Sequence, residues 1–139
     1  METQQEVEVQ ELEVPEQHIQ NLLIQIRLRQ IFFYFVLSFN SKNIKKCELG
    51  YFIAENETGK GLISKFTSEV VTYCFDILQM NKIFLRIAPD NIRSQKVATH
   101  NGFKKEGLLR EEYKGFQDKL EDVMYFGLLK ADYLNKKNA

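Results

Sequence analysis

Residues 47–78 read CELGYFIAENETGKGLISKFTSEVVTYCFDIL, and the way this stretch divides decides the fold. Cys47 to Ala54 reads as a strand. Glu55 to Gly61 is a loop with two glycines. The run after it is the clearest helix in the chain. Ile63, Phe66, Val70, Cys74 and Ile77 recur at spacings of three and four, which lays an apolar stripe along one helix face. A strand that enters a helix through a glycine loop points free helix N–H groups back at that loop. Partial positive charge collects there and suits an anion, typically a phosphate. Thr58-Gly59-Lys60-Gly61-Leu62-Ile63 is therefore a candidate phosphate cradle, with a plain helix-entry turn as the competing reading. It is no Walker A loop, because Ala54 stands where that motif's first glycine belongs, and ATP or GTP hydrolysis is set aside.

Upstream, Ile31 to Phe39 (IFFYFVLSF) is apolar on both faces and reads as a central strand. The run before it alternates, with Ile24, Ile26 and Leu28 on one side. Asn40-Ser41-Lys42-Asn43 is a turn by composition, so a hairpin is expected from about 30 to 54. Val7 to Val14 alternates like an edge strand. Pro15 then opens a helical candidate, PEQHIQNLLIQI, whose acidic, Gln-rich start reads equally as a frayed tail. Downstream, Lys82 to Ala88 is a strand, Asn91 is an N-cap, and a short helix stops at Gly102. Phe103 to Tyr113 and Leu120 to Leu129 are two further strands, joined around Gln117-Asp118-Lys119, and the polar tail ADYLNKKNA is expected to fray. The order predicts an α/β (α+β) fold, a mixed sheet flanked by helices. One domain over 1–139 is expected, with 1–23 a degenerate or frayed arm and 134–139 a polar tail.

The 19 Lys+Arg and 19 Asp+Glu cancel, but not evenly. The first 20 residues hold six acids and no base, leaving the body with 19 bases against 13 acids. This argues against a protein that coats nucleic acid and leaves room for a local anion site on the body. Cys47 and Cys74 form no CxxC pattern, so a reduced compartment is expected, and His18 and His100 have no partner at metal-ligand spacing. The apolar run of nine is too short for a membrane helix, which needs about 20 residues. The acidic N-terminus lacks a basic n-region before an apolar run. A soluble, cytoplasmic protein with no metal, no nucleic-acid partner and no membrane partner is the expectation.

From about Glu48 to Tyr133 the chain resembles a GNAT-fold N-acetyltransferase of the RimJ/RimL type. The resemblance is carried by ELGYFI, TGKGLIS, NKIFLRIAPDN, NIRSQKVATHNGF and KEGLLREEYKGFQDKLEDVMYFGLLKADY, in that order and spacing. It implies a mostly antiparallel GNAT-like sheet. It implies acetyl-CoA as co-substrate and acetyl transfer to an amine, either a protein N-terminal amine or a small polyamine-like acceptor. The family's Gln/Arg-x-x-Gly-x-Gly/Ala loop falls on Thr58, Gly59, Lys60, Gly61, Leu62 and Ile63, whose amides would hold the CoA pyrophosphate. Tyr51, Phe52 and Ile53 lie on the strand that would present backbone groups to the pantetheine arm. Asn91 matches the family asparagine after the next strand, and Ser94 a serine that would protonate the leaving thiolate. The acceptor must lose a proton, and Glu48 and Glu112 are the candidate bases.

Plainer readings stand beside these. Glu48 could pair with Lys45 or Lys46, and Asn91 could be an N-cap alone. Lys60, Lys65, Arg93 and Lys96 meet phosphates or form a wet face. Thr58 and Ile63 depart from the family loop. Between its first strand and the hairpin the family carries two helices and a further strand, and VEVQELEVPEQHIQNLL matches only a first strand and the start of a helix. The alternatives are therefore an active acetyltransferase, a truncated GNAT remnant that binds CoA or a protein partner without catalysis, and a small interaction domain without ligand. The apolar strand 31–39 needs cover. Residues 14–28 folding over it, or a second copy in a homodimer, would supply that cover.

Overall fold

A computed structural model of the chain describes residues 5–14, 19–28, 31–39, 44–53 and 61–138. The elements are β1 (Gln5–Val14), β2 (Ile19–Leu28), β3 (Ile31–Phe39), β4 (Lys46–Ile53), α1 (Leu62–Thr72), β5 (Lys82–Ile87), α2 (Ile92–His100), β6 (Lys104–Lys114), β7 (Leu120–Leu129) and α3 (Lys130–Lys137). The strands form one sheet in the order β1-β2-β3-β4-β5-β7-β6. Among these strands only β4 and β5 run parallel; the other neighbours are antiparallel. This is the mixed sheet that the order of elements predicts, mostly antiparallel as the family resemblance implies.

Alternation assigns the two faces of the sheet. Ile24, Ile26, Phe33, Phe35, Leu37, Cys47, Leu49, Ile83, Leu85, Met124 and Phe126 join one core cluster with Phe66, Val70 and Cys74 of the helical segment and Ala98 of α2. Phe66 meets Phe33 edge-on, with ring centroids 4.7 Å apart. Tyr34, Glu48, Phe52, Phe84, Arg86 and Tyr125 alternate with core residues and so face the other way.

The helix after the loop begins as the periodicity predicts, but its last turn does not. Tyr73–Ile77 is a π turn, closed by Leu78 N–H donating to the Tyr73 carbonyl at 3.0 Å. A π turn inserts one residue into the repeat and rotates the next side chains about the helix axis. Ile77, expected on the buried stripe, is 67% exposed, and Phe75 is buried at 1% instead.

Three expectations near the termini are corrected. The helical candidate after Pro15 is a strand over Ile19–Leu28, paired with β1 from Gln5↔Leu28 to Val14↔Ile19; residues 15–18 lie outside the described set. An isolated helix this short is marginal in water, and a strand ladder available on both sides overrides its propensity. Residues 5–14 and 19–23 of the supposed arm are therefore sheet rather than frayed chain. Nor does this segment fold over β3. It lies beside it, with Ile24 opposite Phe35, and α1 covers the core face of that strand. The expected polar tail continues α3. Tyr133 stacks on Phe75 at 4.8 Å and donates to Asp76 Oδ2 at 3.1 Å, where Lys137 Nζ also lies at 3.2 Å.

Both cysteines are free and fully buried. Cys47 beside it, with burial, pushes the Cys74 thiol far up from its ordinary range.

Candidate functional site

The parallel ladder between β4 and β5 has three rungs, Lys46↔Lys82, Cys47↔Ile83 and Glu48↔Phe84, and then the strands part. The other edge of β4 stays paired with β3 as far as Ile53. From Leu49 onward, then, the β4 backbone facing β5 has no ladder partner among the described residues. It presents N–H and C=O groups to whatever lies in the fork. A cavity of about 190 Å³ occupies the fork, lined among others by Gly50, Tyr51, Arg86, Ala88, Asn91 and Ser94. Nothing lies within 4 Å of where a side chain on Gly50 would begin.

Asn91 is the N-cap expected of it, its Oδ1 accepting from Ser94 N–H at 3.2 Å, which fixes Ser94 in the first turn of α2 at the cavity wall. The Tyr51 hydroxyl is buried and has no hydrogen-bond partner among the described residues. Burial raises its pKa, and the Ser94 side chain opposes that shift without satisfying the hydroxyl. A buried unpaired hydroxyl costs about 1–3 kcal/mol, so Tyr51→Phe is expected to stabilise the ligand-free protein by about 1 kcal/mol in urea unfolding. The raised pKa also sets the sign of its pH dependence. A folded pKa above the unfolded value of about 10 means that stability falls as pH rises past 10. The phenylalanine variant lacks that part of the fall.

On the other face of the sheet, at the point where the fork opens, Arg86 holds Glu48. Arg86 Nε donates to Glu48 Oε2 and Nη2 donates to Oε1 at 3.0 Å. Glu48 thus pairs with Arg86 rather than with Lys45 or Lys46, and Lys46 instead sits 5.2 Å over the Phe84 ring. The Glu48 carboxylate raises the Arg86 pKa, partial burial opposes this, and Glu112 and Tyr113 add to it. A second cavity of about 180 Å³ is lined here by Glu48, Arg86, Ala88, Tyr113, Glu121 and Asp122. Arg86 and Ala88 line both cavities and so stand between them. Glu112 arrives through an irregularity in β6 between Leu109 and Tyr113, where Glu111 takes a left-handed φ of 48° and donates its N–H to Asp122 Oδ1 at 2.8 Å. The bulge re-aims the strand at this point. Both candidate carboxylates, Glu48 and Glu112, therefore share one neighbourhood around Arg86.

On the core side, α1 starts at Gly61, which takes φ 67° and ψ 8°, and Lys65 N–H bonds back to its carbonyl at 3.0 Å. Among the described residues no side chain caps this terminus, so its first amides are open to an anion. A groove of about 680 Å³ runs from here along α1 and α2, lined among others by Gly61, Lys65, Lys96, His100, Asn101 and Lys136. Glu69 is the one acid among the described residues of its lining, so the groove is electropositive. Asn101 Nδ2 ties the helices together, donating to Ser64 Oγ at 3.1 Å and to the Val97 carbonyl at 2.9 Å. Arg93 does not line this groove.

The remaining candidate residues scatter. Leu62 and Ile63 pack against the core, leaving only their backbone at the helix start. Phe52 stacks on Tyr34 at 4.8 Å on the far face, away from the fork cavity, and is 54% exposed. Thr58, Gly59, Lys60 and the side chain of Ile53 lie outside the described residues. Arg86, Tyr113 and Asn101 escape the sequence reading. Arg86 alone leaves a trace there, as a charge on the alternate face of KIFLRIA.

Among the described residues no helix is long and apolar enough to cross a membrane. No group of three or more His, Cys, Asp or Glu side chains there has the arrangement to hold a metal ion. Comparison with known proteins finds a match to the acetyltransferase (GNAT) domain model over residues 29–104. An uncharacterized N-acetyltransferase, p20, from Bacillus licheniformis is 38% identical over 88 residues, 63% of this chain and 49% of that protein. The spermidine N(1)-acetyltransferase of Vibrio cholerae is 30% identical over 92 residues, 66% of this chain and 53% of that protein. The chain therefore spans about half the length of the curated relatives it matches. The solved structure of a spermidine/spermine N-acetyltransferase, SpeG, from Vibrio cholerae superposes with a TM-score of 0.71 over 88% of this chain and 71% of that one, at 24% identity. That likeness establishes the fold.

Proposed function

We propose, from the premise that this chain belongs to the GNAT acetyltransferase family, that it transfers an acetyl group from acetyl-CoA to a primary amine. The observation that carries this reading is the fork between β4 and β5. Its open backbone edge from Leu49 lines one cavity with Ser94, and Arg86 and Ala88 separate that cavity from a carboxylate-lined pocket on the other face. The pantetheine arm would add to the open edge of β4 as an extra half-strand, amide to amide. The pyrophosphate would sit on the amides from Gly61 to Ile63 at the start of α1, and Lys65, Lys96 and Lys136 would neutralise the nucleotide phosphates.

That placement brings the thioester into the fork. The acceptor nitrogen attacks the thioester carbonyl carbon, a C–N bond forms, and the C–S bond then breaks. Before the attack the acceptor ammonium gives one proton to Glu48 or Glu112, directly or through water, which frees its lone pair, and the nitrogen loses a second proton to water as the C–S bond breaks. Ser94, or the unpartnered Tyr51 hydroxyl beside it, gives the leaving thiolate its proton. Glu48, Glu121 and Asp122 in the pocket favour a cationic acceptor. Spermidine is the acceptor named for one relative, and a protein N-terminal amine meets the same electrostatic demand. The two buried free thiols suit a reducing, cytoplasmic setting. The half-exposed Phe52 and its partner Tyr34 mark the surface where the expected second copy would pack.

One observation favours a second reading, CoA binding without transfer. The Glu48 carboxylate is already held at both oxygens by Arg86. Calorimetric titration with acetyl-CoA, followed by thiol release with spermidine and with short peptides, separates the two. Binding with amine-dependent thiol release is the expected result. Binding without release for any amine leaves the second reading, and no binding at all defeats both.

A further inference from the structure

We propose that Arg86 is a specificity-determining residue, a cation built into the acceptor pocket that competes with the substrate's ammonium for Glu48. This inference rests on the acetyl-transfer reading above and deepens it. Arg86 stands two residues beyond the last rung of the β4–β5 ladder, Glu48↔Phe84, and on the same face as Glu48. From there it reaches back across the opening of the fork with both prongs of its guanidinium. A planar guanidinium matches a carboxylate in a way that an ammonium does not, so Arg86 holds both Glu48 oxygens at the point where the fork opens.

The two partners are unequal. The Glu48 side chain is 18% exposed and that of Arg86 44%, so the carboxylate is the fixed member and the guanidinium the one free to swing into solvent. Among the pocket's described lining residues Arg86 is the one cation, against Glu48, Glu121 and Asp122. Asp122 is already engaged by the Glu111 N–H. Glu48 and Glu121 remain, and at Glu48, where the fork opens, Arg86 stands in the place an incoming ammonium would take. A cation that displaces Arg86 gains Glu48 and keeps the remaining pocket charge. A neutral or anionic acceptor gains nothing by the exchange. Arg86 would thus hold the pocket's affinity for cations below what its carboxylates alone would give.

The test uses the full chain, saturating acetyl-CoA and spermidine as the cationic probe. Arg86→Gln is expected to lower the KM for spermidine by roughly threefold at low salt, with the difference shrinking as salt rises. Arg86 also lines the fork cavity, so acetyl-CoA affinity is measured for each variant and the spermidine KM is taken at a concentration that saturates it. Arg86→Lys keeps the charge but loses the two-pronged contact, and its KM is expected to fall between those of the parent and Arg86→Gln. A purely structural role for the ion pair would lower stability without tightening spermidine binding. A KM for spermidine that is unchanged or higher in Arg86→Gln at saturating acetyl-CoA overturns the proposal. The Arg86 Nε–H resonance of the unmodified protein gives a second readout that does not depend on the variant folding. It is expected to shift when spermidine is added, and a resonance that stays put overturns the proposal as well. A shift without any thiol release would retire the transfer reading while leaving Arg86 in competition with the bound amine.

Discussion

Phe66→Ala is expected to remove about 3–5 kcal/mol of stability, against the roughly 5–15 kcal/mol that a domain has to lose. Phe66 is fully buried, faces Phe33 edge-on at 4.7 Å, and joins α1 to the central strand β3. Truncation leaves a cavity walled on one side by a sheet whose backbone is hydrogen-bonded through β2, β3 and β4, and such a wall cannot collapse inward. Urea unfolding should show the midpoint falling with little change in slope. Ile77→Ala is the control. By spacing alone Ile77 belongs to the same stripe as Phe66, but the π turn leaves it 67% exposed, so its loss should stay within about 0.5 kcal/mol. Equal costs at the two positions would refute the register shift that the π turn imposes.

The contrast between Phe66 and Ile77 shows where the sequence stops being legible. Features set within one or two turns of chain read correctly. They include the double-faced strand IFFYFVLSF, the glycine at the start of α1 and the Asn91 cap. In each case the residue type and its neighbours determine the outcome. Features set by contacts distant in the chain do not read. The alternation of Ile24, Ile26 and Leu28 reads correctly as strand, but Ile19 to Leu23 falls in the helical candidate, and only the neighbouring strands β1 and β3 make it part of β2. The residues of α3 look like a polar tail until Phe75 and Asp76 give Tyr133 and Lys137 something to hold. The candidate site divides in the same way. Ser94 and Gly61 are proposed for it from local pattern and family resemblance together. The Arg86–Glu48 pair joins positions 38 apart in the chain, and its short-range signal, a Lys45 or Lys46 beside Glu48, points to the wrong partner.

Gly61→Glu is expected to weaken acetyl-CoA binding by roughly a hundredfold, about 2.7 kcal/mol, while leaving the protein folded. Gly61 sits at φ 67°, a conformation that side chains rarely adopt, yet nothing lies within 4 Å of where its side chain would begin. The backbone penalty is therefore about 1–2 kcal/mol, with no clash added. A carboxylate at a helix N-terminus recovers about 0.3–1 kcal/mol of that through the helix dipole, so the melting temperature should fall by only a few degrees. The same carboxylate would occupy the amides proposed to bind the pyrophosphate and place like charge against it. Gly61→Ala separates the two causes, because it carries the backbone penalty without the charge. Its affinity for acetyl-CoA is expected to stay within about threefold of the parent. Equal weakening in both variants would assign the loss to a distorted helix start. If Gly61→Glu binds acetyl-CoA as tightly as the parent, the phosphates do not sit at the start of α1, whatever else the fork between β4 and β5 holds.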